Sequence, residues 1–159
     1  MNKPKKKSQI PKRTCTLSSR SQWDITFSAI PDQIALIDQD MRFLRVNGAL
    51  ARKLGRMPEE LEGLHCYTAI CGTEGPPPEC PHLMTMQDGK DHSRESFIER
   101  FGGDYFITTS ALRNEKGEIC GTVHVARDVT ERKAAEDALR QSETRFRSLV
   151  EQSLVAIFV

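Results

Sequence analysis

Between Gly121 and Arg147 the chain passes from one periodicity to another with no loop between them, and this junction constrains the fold more than any other feature. Val123 and Val125 alternate with polar or small neighbours, the period-two pattern of a strand with one buried face. At Asp128 the period changes. Ala135, Leu139, Ser142, Phe146 and Leu149 follow at steps of four, three, four and three, a heptad seam that turns one stripe toward a partner helix. Asp128 is placed to cap this helix, with Glu131 completing a capping box. Glu136 with Arg140, and Glu143 with Arg147, form i,i+4 pairs on a solvated face. A seam containing Ala135 and Ser142 is thin for a helix folded back on its own sheet, so the spacing predicts a coiled-coil homodimer. A strand that feeds directly into such a helix is suited to relay a change from a folded domain to whatever the helix carries.

Upstream, Trp23, Phe27 and Ile30 mark a short amphipathic helix closed by Pro31. Gln33–Asp38 and Met41–Val46 read as a hairpin around Asp38-Gln39-Asp40. Asn47 caps a helix to Leu54 that Gly55 ends, and Pro58 opens a helical turn to Leu61 before Gly63. Residues 64–93 read as irregular, rich in Cys, Pro, Gly and His. Strands are expected at about 94–100, 104–113 and 118–127, with Asn114–Gly117 as the tight turn between the last two. Strand runs set apart from helices indicate α+β with an antiparallel sheet.

The chain has 159 residues, 38% hydrophobic and 28% charged, a soluble globular balance rather than a disordered one. A net charge of +1 argues against general nucleic-acid binding. The positive charge that stands out is Lys3, Lys5, Lys6, Lys7, Lys12 and Arg13, read as a solvated disordered tail over 1–18, with weak contact to anionic lipid or nucleic acid as the alternative. No apolar run is long enough for a bilayer, so a cytoplasmic location is expected and no membrane is required. Five cysteines, an odd number without a secretion signal, argue against a disulfide framework.

Four motifs in order carry a family resemblance: Arg42–Asn47, Gly55–Gly63, Arg113–Gly121, and Arg127-Asp128-Val-Thr130-Glu131-Arg-Lys133. Together they resemble a PAS sensor domain over residues 22–130, with its signalling helix continuing to about 147. The resemblance implies a five-stranded antiparallel sheet with short helices on one face, enclosing a pocket. It further implies a sensory or dimerising module of a prokaryotic signalling protein such as a histidine kinase, non-catalytic in itself, with a downstream PAS or kinase domain as partner. Asp128 and Thr130 would belong to the signal relay, and Leu139 and Phe146 to the dimer seam. The expected organisation is a tail over 1–18, a PAS domain over 19–130, a signalling helix over 131–147, and the start of a second PAS copy over 148–159. That last assignment rests on the likeness of Arg147–Val159 to Phe27–Ile37, helix then strand. Leu50, Phe97, Phe106 and Val123 are the candidate pocket wall, with Ile107 competing with Phe106 for the inward position.

His65-Cys66-x4-Cys71-x8-Cys80-Pro81-His82 is the one constellation able to carry chemistry. Cys66, Cys71, Cys80 and His82 offer the donors of a tetrahedral zinc site, and their sulfurs also suit an iron–sulfur cluster. Reduced cysteines lining a loop, or a reversible Cys71–Cys80 or Cys66–Cys80 disulfide, are the other readings the spacing leaves open. Covalent haem would need Cys-x-x-Cys-His, which is absent, leaving His82 and His92 as axial candidates for non-covalent haem. Gly102-Gly-Asp-Tyr-Phe106 reads as turn chemistry, and no Walker loop, nucleophile elbow or kinase motif occurs.

Overall fold

The computed structural model describes residues 19–157, with side chains from 22 to 152. The tail assigned to 1–18 and the last two residues lie outside the described part. In chain order the elements are α1 (Ser19–Ala29), β1 (Gln33–Asp38), β2 (Phe43–Val46), α2 (Gly48–Leu54), α3 (Pro58–Leu61), a π-helical turn (Tyr67–Cys71) and α4 (Pro81–Asp88). They continue with β3 (His92–Ile98), a 3-10 turn (Glu99–Phe101), β4 (Gly103–Arg113), β5 (Ile119–Asp128) and α5 (Thr130–Ile157). The fold is α+β. Five antiparallel strands form one sheet, as the resemblance implies, and its order is β2-β1-β5-β4-β3.

Asn47 holds the start of this fold together. Its buried side chain caps α2 by accepting from the Leu50 N–H, accepts also from the Ile34 N–H of β1, and donates to the Asp32 carbonyl. One residue thus satisfies a helix end, the start of an interior strand and a loop. Gly55 then closes α2 in the left-handed conformation.

Sheet register sets which side chains face the helices. Thr122 lies opposite Ile37 and Ala111, His124 opposite Ala35 and Thr109, and Ala126 opposite Ile107. Ala35, Ile37, Thr109 and Thr122 are fully buried on that inward face. Val123 and Val125 pair with Leu36 and Ile34 on the other, partly covered face. The alternation expected in β5 is real, but the valines take the outer side, and threonine, histidine and alanine take the inner one.

Two segments differ from expectation. Residues 64–93 are not irregular throughout: they contain the π-helical turn and α4. The stretch from 148 to 157 continues α5 rather than opening a strand. The reason lies in sequence continuity, since no Gly or Pro interrupts the helix between Thr130 and Ile157.

Candidate functional site

A cavity of about 330 Å³ lies between the inward sheet face, the π-helical turn and the start of α4. Cys66, Cys71, Cys80 and His82 all line it, so the structure brings the sequence constellation to one place. Met41, Ile70, Ile98 and Ile107 supply apolar wall. Pro81 opens α4 between Cys80 at the cap and His82 in the first turn, and both flanking residues line the cavity.

His82 is 1% exposed. Its Nδ1 lies 2.8 Å from the Thr122 hydroxyl on β5, and its Nε2 has no partner among the described residues. Burial lowers the pKa of His82. His124 lines the same cavity, where burial and then the neighbouring His82 push its pKa down to about 4. Both rings are therefore neutral at neutral pH, and a buried ring nitrogen without a partner carries a cost that a bound group would remove.

Two of the thiols, Cys66 and Cys71, are held in the neutral form. Burial pushes Cys66 up to about 12, with Cys80 and Cys71 adding to the effect. Burial raises Cys71 too, helped by Cys80 and opposed by Arg94. Protonated thiols are weak nucleophiles and weak metal ligands. Among the described residues, no three His, Cys, Asp or Glu side chains are gathered as a ready metal cage. The donor set for zinc or an iron–sulfur cluster is present, but its arrangement does not fit a preformed centre. Cys66, Cys71, Cys80 and Cys120 are all free thiols.

Arg94 ties the Pro-rich loop to the sheet. Its guanidinium donates to the Pro78 and Glu79 carbonyls at 3.1 Å. Glu79 sits at φ 56, a left-handed angle unusual for a residue with a Cβ. The loop before Cys80 is thus held by an arginine and a strained turn.

The other expected wall residues distribute differently. Ile107, buried, lines the cavity, whereas Phe106 is 40% exposed on the outer face. Phe97 lines the cavity yet is 59% exposed. Leu50 belongs to the packed core, and Val123 faces outward, so neither lines this cavity. His92 pairs with Asp88 at 3.0 Å outside it. In the sequence His124, alternating with Val123 and Val125, reads as a sheet-face residue and not as a phosphoacceptor, and only the register places it at the cavity.

At the other end of β5 the sheet is joined to α5. The Asp128 carboxylate accepts from the Thr130 N–H at 3.0 Å and the Tyr105 hydroxyl at 3.1 Å. Thr130 Oγ1 accepts from the Asp104 N–H at 2.9 Å. A Cβ on Gly103 would lie 2.5 Å from that hydroxyl, so this closeness requires glycine. Lys133 bridges Asp104 at 2.9 Å and Glu95 at 3.3 Å, and Arg132 reaches Glu95 at 2.9 Å. The expected Asp128–Glu131 capping box does not form: Asp128 accepts from the Thr130 N–H two residues on, not from Glu131, and no bond from the Glu131 side chain returns among the described residues. The helix pair that forms is Arg132–Glu136, while Arg140 turns toward Asp137. Beyond this joint, Leu139, Phe146 and Leu149 are 62%, 69% and 59% exposed.

A family model described as PAS fold matches residues 27–134. No curated protein matches the chain. Among solved structures, VqmA bound to DPO superposes with TM-score 0.59 at 18% identity, covering 73% of this chain and 60% of that one. An RNA-binding light-oxygen-voltage receptor gives TM-score 0.60 at 18% identity, covering 89% of this chain and 42% of that one. The PAS domain of Bordetella pertussis BvgS gives TM-score 0.52 at 17% identity, covering 77% and 93%. The chain therefore spans less than two thirds of the first two proteins, and at these identities the likeness is one of fold. No helix among the described residues is long and apolar enough to cross a membrane.

Proposed function

The chain belongs to the PAS fold family, and we propose that it is a homodimeric sensory module that passes the state of its thiol-lined cavity through α5 to an output domain. PAS sensor domains are non-catalytic, and this domain is one of them. The observation that carries the proposal is the joint around Asp128 and Thr130. It ties the strands that wall the cavity to a helix whose apolar stripe is exposed. A ligand or redox change that shifts β4 against β5 would alter Asp104 and Tyr105, and with them the start of α5. Vibrio cholerae VqmA is described as a dimer, which lends support to the same assembly here. A downstream PAS or histidine kinase domain is the partner this reading expects, and a cytoplasmic location goes with it.

Cross-linking through single cysteines placed along α5 tests the relay, with the native thiols kept reduced or mildly oxidised. The expected result is a redox-dependent change in cross-linking at positions beside Leu139 and Phe146. Identical cross-linking in both states would remove redox as the signal.

A second reading has one observation in its favour: three thiols and His82, whose buried Nε2 has no partner among the described residues, line one cavity. In this reading Cys66, Cys71, Cys80 and His82 close around zinc or an iron–sulfur cluster as the thiols lose their protons. Zinc titration under reducing conditions, compared with Cys80→Ser, decides it. Stoichiometric binding lost in the variant supports a metal sensor, and no binding leaves the cavity to other signals.

A further inference from the structure

A second cavity, of about 220 Å³, lies apart from the thiol site, and we propose that it binds a small aliphatic carboxylate. Its rim carries Arg42, Arg56 and Arg100, and no Asp or Glu lines it. None of these arginines is in an ion pair among the described residues. Three guanidiniums around one opening repel one another, and an anion among them would reverse that cost.

The backbone fixes this arrangement. Arg42 and His65 face each other across an isolated antiparallel bridge, flanked by the bonds from Phe43 N–H to the Leu64 carbonyl and from Cys66 N–H to the Met41 carbonyl. Arg42 is anchored on the Gly63 carbonyl at 2.8 Å. That leaves the rest of its donor fork for an incoming group. Arg56 follows the left-handed Gly55 at the end of α2, and its side chain has no hydrogen bond among the described residues.

His65 supplies an independent sign of a missing partner. Its Nδ1 is buried without a hydrogen bond, in the wall of this same cavity. A carboxylate held by the arginines would give this nitrogen the hydrogen-bond partner it lacks, with an Nδ1–H donating to it. The floor is apolar, from Leu54, Leu61 and Ala69, which selects an organic acid with a short hydrocarbon body over a bare inorganic anion. The volume falls below that of sites for drug-sized molecules, so the body is only a few carbons long. His65 stacks on Tyr67 at 4.8 Å, and Tyr67 lines the thiol cavity, so the two cavities share one wall.

Titration with isovalerate, isovaleramide and inorganic phosphate, followed by calorimetry and by the ring-nitrogen NMR signals of His65, tests the site. Isovalerate is expected to bind saturably in the millimolar range and to shift the His65 signals. The neutral amide should bind at least about tenfold more weakly. Arg56→Gln and Arg100→Gln should each weaken isovalerate about tenfold while leaving the backbone spectrum of the sheet unchanged. Saturable binding that neither variant weakens would overturn the proposal, as would an absence of isovalerate binding to the unaltered chain. Phosphate binding as tightly as isovalerate would contradict the role given to the apolar floor.

Discussion

The two ends of β5 behave differently. Toward the cavity the sheet buries polar side chains, and toward α5 the helix exposes apolar ones. Thr122, His82 and Thr109 are at most 1% exposed, whereas Leu139 and Phe146 are more than 60% exposed. Buried polar groups persist where they bond one another, as Thr85 and Thr109 do at 2.7 Å and His82 and Thr122 do at 2.8 Å. Exposed apolar stripes persist where another surface covers them. This contrast is the ground on which the proposed function gives recognition to the interior and assembly to the helix.

The largest effect falls on the packed interior. Tyr105 is fully buried against Phe101, with its hydroxyl on Asp128. Tyr105→Ala should cost about 3–5 kcal/mol of unfolding free energy in urea titration. Phe146→Ala, measured below the dimerisation concentration, should cost no more than about 0.5 kcal/mol. Comparable losses at both positions would erase the distinction between the regions.

A smaller effect is expected from the cavity histidines. His124 has its pKa lowered to about 4 in the fold against 6.5 unfolded, so between these values the unfolded chain binds more protons. Stability is then full above pH 6.5 and falls as pH drops toward 4, by on the order of 2–3 kcal/mol. His82, also shifted down by burial, acts in the same direction. His124→Gln should flatten this part of the stability profile, and an equally steep profile in the variant would place the proton uptake elsewhere.

The smallest effect concerns the joint. Asp104 and Lys133 are about a third exposed, so their ion pair is partly screened. Asp104→Asn should cost no more than about 1 kcal/mol in melting experiments. Its signature should instead be loss of any coupling between cavity state and α5 cross-linking. Coupling that survives in Asp104→Asn would move the relay away from this contact.

Much of this was legible in the sequence, and what was missed has a physical cause. The hairpin, the Asn47 cap and the long exit helix follow strong local signals: turn residues, a capping side chain and a heptad. Helix α4 was hidden despite Pro81 at its start and Gly89 at its end, because its buried face carries His82 and Thr85 while Leu83 and Met84 are exposed. Reading hydrophobicity as burial fails on such a face. The same inversion misplaced Val123 and drew attention away from His124. An inner sheet face that carries Thr109, Thr122, His124 and Ala126 beside its isoleucines has no apolar period to betray it. Asn47 was legible as a helix cap, but its bonds to β1 and to Asp32 depend on tertiary approach that local sequence does not encode.

The assembly through α5 is the claim on which the relay depends, and the solution mass of the chain tests it most directly. Light scattering at tens of micromolar should give twice the 18.0 kDa chain mass. Leu139→Asp with Phe146→Asp should return the single-chain mass and leave the sheet's circular dichroism unchanged, because two unpaired charges would be buried in the seam. A single-chain mass for the unaltered protein, or a dimer that survives both substitutions, would contradict the account.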